Sequence, residues 1–364
     1  MVIAVNFLDS DFIFECFSKL AQQYPQHQFI YIFDATFDEK YIRSKNIIPI
    51  VAGPQTKSTL LLKYWLNYKI PAILKKYKVD VFVCTGYCSS RTKVPQCIII
   101  NDLSFLHHPQ FFTSSWLRFY KSNTAKFLSK AKAVITTSQF LKQEIAGIYK
   151  IETNKINVAY QCAGQYFKPI NWQQKENTKE KYTQGKEYFL YSGANHPSSN
   201  LIVLLKAFSF FKKCQKSNIQ LVIASKTTAT DKEFIKRLSS FKYRNEVKLF
   251  ENIPPESLAQ ITASAYAVIC PSIYQSTGES ILQAMQSEVA VIASNSSAMS
   301  EICGNAALYI NPNDFNDIAD KMMMLFKDED KRNQLIIKGK QQAAFYNWDK
   351  SIEAVWVTIK KCVN

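Results

Sequence analysis

The pentapeptide Gln275-Ser276-Thr277-Gly278-Glu279 joins small polar residues and a glycine to a helix-patterned stretch that starts at Ser280. The apolar segment 265–270 precedes it and reads as a buried strand. A short turn between strand and helix points several backbone N–H groups at one spot, at the positive end of the helix dipole. The chemistry this supports is anion binding, and Gly278 leaves room for a ligand to approach the backbone. Metal chemistry has weaker support. Cys84, Cys88, His107 and His108 fit no standard zinc spacing. The nine cysteines include no CxxC pair and read as reduced, mostly buried residues of a cytoplasmic protein.

The elements that position this turn follow from hydrophobic patterning. In the first half, strands are expected at 2–7, 28–33, 79–84, 97–100, 133–136 and 156–159. Helices are expected near 12–23, 59–77, 114–129 and 139–147. Short apolar strands alternating with helices predict a parallel sheet covered on both faces. Residues 170–186 are polar, nearly free of aliphatic side chains and end near Gly185, so they read as a linker. Alternation then restarts, with strands at 188–192, 219–225, 247–250 and 265–270. Helices are expected at 200–213, 231–239, 255–262 and 280–286, and a last amphipathic helix ends at Lys361. The predicted fold class is α/β, with two doubly wound, Rossmann-like domains in series. Ligands of such sheets bind beyond the carboxyl ends of the strands.

A length of 364 residues fits two domains. No apolar run is long enough to span a membrane, and residues 1–7 read as a first strand rather than a signal peptide. The net charge of +16 is uneven: 21 of 45 basic but only 10 of 29 acidic residues fall in residues 1–170. Such a field attracts anionic partners. Lysines interleave with aromatic residues at 57–78 and 116–132. Two readings stand: an aromatic core stripe with a solvated lysine face, or contact with an anionic membrane surface from its cytoplasmic side. No nucleic-acid recognition motif accompanies the charge, so no nucleic-acid partner is expected.

Three segments resemble family-4 glycosyltransferases. The stretch 98–109, IIINDLSFLHHP, followed by 131–140, AKAVITTSQF, is similar to that family's acceptor-side pattern. Residues 191–201, YSGANHPSSNL, resemble its Y-V-G-x-x-x-P-R-K-N-L segment, and the stretch from Pro271 to Pro312 resembles its donor loop. The resemblance implies a GT-B architecture, two Rossmann-like domains facing a cleft. It implies an acceptor-side domain over 1–170, a donor domain over 171–345, and a helix over 346–364 returning to the first domain. It further implies sugar transfer with retention, from a nucleotide-sugar donor to a glycan, lipid-linked or cell-envelope acceptor. No metal or cofactor is expected.

Carried over position by position, the resemblance assigns catalytic places to Asn101, Asp102 and Gln275. It assigns donor contacts to Gly193, Asn195, Ser276, Thr277, Gly278 and Gln283. Several charges of the family pattern are absent. Its arginine and lysine after the third strand's glycine are Ala194 and Ser199 here; its paired glutamates are Gln275 and Gln283; its acceptor-side histidine is Asn101; its early glycine-rich loop is Asp9-Ser10-Asp11. Charge on the leaving phosphate normally needs preorganised donors. Losing two charged hydrogen bonds would cost roughly 3–6 kcal/mol unless replaced. Lys226, at the carboxyl end of a strand, is the candidate replacement. Glu279 either supplies a compensating carboxylate or caps the helix. Asp9 reads as a helix N-cap, and His107 and His108 as packed or surface histidines. Two functions stay open: a divergent retaining transferase, or an impaired homologue that binds a sugar nucleotide or serves as a scaffold.

Overall fold

The computed structural model describes residues 1–7, 11–194, 196–225 and 232–363. Asp9, Asn195 and Lys226 lie outside the described residues. The chain divides into two compact units, Met1–Gln161 with Trp348–Asn364, and Cys162–Asn347.

Among the described residues, the first unit holds seven strands: β1 (Val2–Phe7), β2 (Gln28–Phe33), β3 (Ile47–Val51), β4 (Val81–Thr85), β5 (Gln96–Ile100), β6 (Ala133–Thr136) and β7 (Ile156–Val158). All pair in parallel, in the order β3-β2-β1-β4-β5-β6-β7. Side chains alternate between the two faces, as the two-residue period requires. Val5, Tyr31 and Val83 pack on one face with Ile352, Val355 and Ile359 of the last helix, Trp348–Val363. Ala4, Ile30 and Phe82 pack on the other with Trp65, Ile70 and Leu128. The last helix is therefore part of the first unit, and its Ser351 Oγ donates to Tyr160 O at 2.7 Å. Strand β3 was not expected. It is an edge strand centred on Pro49, which pairs opposite Tyr31, and proline is tolerated in sheets mainly at such an edge.

The second unit holds β8 (Tyr188–Gly193), β9 (Gln220–Ser225), β10 (Val247–Glu251), β11 (Ala267–Cys270), β12 (Ala290–Ser294) and β13 (Ala307–Ile310). They form a parallel sheet in the order β10-β9-β8-β11-β12-β13. This is the doubly wound order of a dinucleotide-binding fold, and its direction reverses between β8 and β11. The loops after these two strands flank the switch point.

The polar stretch expected as a linker is instead a helix, Trp172–Thr183. A capping box supports it: Asn171 Oδ1 accepts from Gln174 N at 2.9 Å, and Gln174 Oε1 from Asn171 N at 3.1 Å. Its inward residues are Thr178, Lys179 and Thr183 rather than aliphatics, so no apolar periodicity announced it.

Candidate functional site

Gly278 ends the loop after β11 and is the N-cap of the helix Glu279–Gln286. Its φ of +61° lies in the left-handed region, where glycine alone is unstrained. A Cβ there would also meet Ile302 Cδ1 at 2.5 Å. Conformation and packing thus both require glycine. The carbonyl of Gly278 accepts from Ile281 N and Leu282 N, each at 3.1 Å. The helix start places the positive end of its dipole at this turn, which favours an anion.

Neighbouring loops brace this turn. Gln275 N donates to Ser297 Oγ at 2.9 Å, and Ala298 N to Gln275 O at 3.2 Å. The loop after β8 is tied across the switch point by Ile273 N donating to Ser198 O at 2.9 Å. Asn200, with a φ of +62°, donates through Nδ2 to Pro271 O at 3.1 Å and Pro312 O at 2.5 Å. The loops following β8, β11 and β13 are therefore held together by one buried amide.

Gly193 ends β8, and a Cβ on it would lie 2.8 Å from the Tyr191 hydroxyl. That hydroxyl donates to Ala194 O at 2.7 Å, as does Ser199 Oγ. Burial pushes the Tyr191 hydroxyl up, with Ser199 opposing the shift. Ala194 and Ser199 stand where the resemblance expects two cations. Here the Tyr191 and Ser199 hydroxyls both turn to the Ala194 carbonyl.

Gln275 and Thr277 are half-buried, and Ser276 and Gln283 are buried. Glu279 is the acidic residue of the helix's first turn. It is the helix's first residue, and its Oε1 accepts from Gln283 Nε2 at 3.1 Å, the one-turn reach expected at i and i+4. With its nitrogen committed to Glu279, Gln283 presents its oxygen as an acceptor. Behind the turn, Cys270 Sγ lies 3.4 Å from Ser280 Oγ, and burial pushes the Cys270 thiol up to about 11. It is a packing residue, not a nucleophile.

Gly193, Gln275, Ser276, Thr277, Gly278, Glu279 and Gln283 are thus gathered in the second unit at the carboxyl end of one sheet. Asn101 and Asp102 follow β5 in the first unit. Asp102 takes Ser104 N at 3.1 Å and Ser104 Oγ at 2.5 Å, so its carboxylate closes the turn into Ser104–His107. His107 Nε2 pairs with Glu144 Oε1, and His108 stacks on Phe111 at 5.6 Å. Burial, then His107, lower the His108 pKa, against a raising influence of Asp102. Sequence reasoning did not single out Tyr191, Asn200 or Ser297. Asn200 carried a signal, an asparagine before an apolar helical run, because asparagine tolerates the left-handed region.

A cavity of about 320 Å³ lies at the amino end of the second sheet, ahead of β8 and β11. Four of its lining ions are paired with each other, Lys179 with Glu187 and Arg332 with Glu329. Among the described residues no cluster of three metal-ligating side chains occurs.

Comparison with known proteins gives the family of the chain. The model of Glycosyl transferases group 1 matches residues 173–342, and that of Glycosyltransferase Family 4 matches residues 19–162. O-antigen chain mannosyltransferase B of Escherichia coli is 24% identical over 253 residues, 68% of this chain and 66% of that protein. O-antigen chain mannosyltransferase RfbU of Salmonella typhimurium is 27% identical over 252 residues, 69% of this chain and 65% of that protein. The chain thus spans just under two thirds of the length of these relatives. Among solved structures, a glycosyltransferase from Rickettsia africae superposes with a TM-score of 0.77 at 18% identity, covering 100% of this chain and 98% of that one. Anabaena HepE in complex with UDP and glucose superposes with a TM-score of 0.79 at 14% identity, covering 99% of each. The two family models together take in most of the chain, each over one of its Rossmann-like units, and the chain belongs to the family-4 glycosyltransferases of GT-B type.

Proposed function

We propose that this protein transfers a hexosyl group, mannose by the names of its relatives, from a nucleoside-diphosphate donor to a growing cell-surface glycan. The observation that carries the reading is the Gly278 turn. A left-handed glycine opens a helix at the switch point of a doubly wound sheet, braced by Asn200 and Ser297. The turn's amides would take the pyrophosphate, and the Gln283 oxygen would accept a ribose hydroxyl. Anomeric configuration would be retained, with Gln275 beside the donor sugar and leaving phosphate. Asn101 and Asp102 would serve the acceptor side. The donor contacts assigned to Asn195 and Lys226 belong to the same proposal, with Lys226 as the cation for the leaving group. No metal enters the scheme. Incubation of the full chain with GDP-mannose and a lipid-linked oligosaccharide tests it. Transfer of labelled mannose supports the reading, whereas donor binding without transfer or hydrolysis refutes it.

A second reading has one specific observation in its favour. Ser199 and Ala194 form a closed backbone network where the family pattern carries two cations. On that basis the protein would be an impaired transferase that holds a sugar nucleotide or serves as a scaffold. Single-turnover hydrolysis of the donor separates the two readings, because an impaired site binds without releasing the sugar.

A further inference from the structure

The described residues include no helix long and apolar enough to cross a membrane. The first unit nevertheless exposes a surface of unusual composition. Its helical stretch Thr59–Tyr64, Trp65–Lys69 and Ile70–Lys76 buries Leu62, Trp65, Leu66, Ile70 and Leu74 against the sheet. The opposite side carries Leu60, 76% exposed, Tyr68, 52% exposed, and the exposed Leu61 and Tyr64. Tyr64 and Tyr68 stack at 5.4 Å. Of the aromatic residues at 57–78 and 116–132, Trp65 and Phe119 are buried and Tyr77, Trp116, Tyr120 and Phe127 pack against the core, as one of the two sequence readings required, but these four side chains are exposed.

The charge around them has one sign. Between residues 40 and 143 the only acidic residues are Asp80 and Asp102, against 17 lysines and arginines. Lys57, Lys63, Lys69, Lys75 and Lys76 lie on the same segment and are exposed. Arg91 sits over the Tyr68 ring at 4.3 Å, and Lys63 over Phe119 at 5.6 Å. Asn67 Oδ1 accepts from Ser90 N at 3.1 Å and Ser90 Oγ at 2.6 Å, and Lys130 Nζ donates to Ser90 O at 3.2 Å. These contacts join the segment to the helix Ser114–Lys130, whose Arg118, Lys121, Lys126 and Lys130 are exposed.

We propose that this face docks on an anionic lipid bilayer, with Leu60, Leu61, Tyr64 and Tyr68 entering the interface and the surrounding cations meeting lipid phosphates. An amphipathic helix with aliphatic and aromatic residues on one face and lysines beside them suits that boundary. Tyrosine places an apolar ring and a polar tip at the headgroup level. Each cation near an anionic surface strengthens partitioning about fivefold. A soluble polyanion would use the lysines but has no use for two adjacent exposed leucines. The proposal does not depend on the transferase reading, and its test has no catalytic readout.

The test is co-sedimentation of the full chain with vesicles of phosphatidylcholine alone and of phosphatidylcholine with about 30% phosphatidylglycerol, at low and high salt. The wild type is expected to sediment with the anionic vesicles and to weaken as salt screens the attraction. Lys69→Glu/Lys75→Glu/Lys76→Glu is expected to reduce binding at least about 100-fold. Leu60→Ser/Leu61→Ser is expected to reduce it about tenfold, including at high salt where the apolar contribution persists. All five positions are exposed, and an unchanged melting temperature confirms folding. No sedimentation of the wild type at low salt overturns the proposal. So does binding to heparin as tight as to vesicles with no effect of the leucine pair, which identifies a generic polyanion surface.

Discussion

Tyr191 and Ser199 donate to one acceptor, the carbonyl of Ala194, each at 2.7 Å. Two hydroxyls thus converge on one carbonyl of an exposed loop residue. Each single variant, Tyr191→Phe or Ser199→Ala, leaves the oxygen one partner and should cost about 1 kcal/mol. The double variant removes both donors from the one acceptor, and its cost should differ from the sum of the singles by about 0.5 kcal/mol or more. Urea unfolding of the four proteins measures this coupling; simple additivity would show that the two hydroxyls do not share a partner.

Gly278→Ala combines a left-handed backbone with a contact of 2.5 Å to Ile302 Cδ1. Together these should lower stability by about 2–3 kcal/mol. Adding Ile302→Val removes the clashing methyl, so the pair should be less unstable than the sum of its parts. Thermal denaturation of the three variants decides this. If Ile302→Val gives no relief, packing is not what excludes a side chain at residue 278.

Gln283→Ala should weaken binding of a nucleoside diphosphate about three- to tenfold, by loss of one neutral hydrogen bond to the ribose. Binding of inorganic pyrophosphate should be unchanged, because the Gly278 turn is untouched. Equal loss for both ligands would move Gln283 from the ribose to the phosphates. Titration calorimetry with the two ligands reads the difference.

Arg332 donates to Glu329 through Nε at 3.0 Å, and this holds the Glu329 carboxyl below its ordinary value near 4.5. Burial opposes the shift, and the remaining attraction of Arg332 and the Tyr266 hydroxyl reinforces it. A carboxylate with a depressed folded pKa contributes stability that is complete above the unfolded value. That contribution disappears as pH falls through the folded value. The melting temperature should therefore drop more steeply below about pH 4.5 in the wild type than in Glu329→Gln. Glu329 is largely exposed, so the difference is small, a degree or two of melting temperature at about 1 kcal/mol or less. Parallel slopes for the two proteins would remove the pair from the acid response.

The parallel-sheet architecture was legible because its strands are apolar runs separated by helices of 3.6-residue period. Helix Trp172–Thr183 was not, since it is held by Asn171 and Gln174 and by buried threonines that leave no apolar stripe. Strand β3 was hidden by Pro49, which only an edge position permits. In the site, Gly278 could be read from the turn it makes. The fate of Ala194 and Ser199 could not, because the local backbone path, not residue type, decides that the Tyr191 and Ser199 hydroxyls turn onto the Ala194 carbonyl. Glu279 had two readings, a compensating carboxylate or a helix cap, and the fold adds a contact that neither named, with Gln283 one turn on. The turn that Asp102 closes by accepting from Ser104 N and Oγ could not be read from the resemblance that assigned it a catalytic place.

Calorimetric titration of the full chain with GDP and with UDP, beside Gly278→Ala, is the most direct measurement of whether the Gly278 turn holds a pyrophosphate. The account predicts micromolar binding of at least one of the two by the wild type and at least tenfold weaker binding by Gly278→Ala, at a temperature where both remain folded. Equal affinity of the two proteins, or heat from neither nucleotide with the wild type, would contradict it.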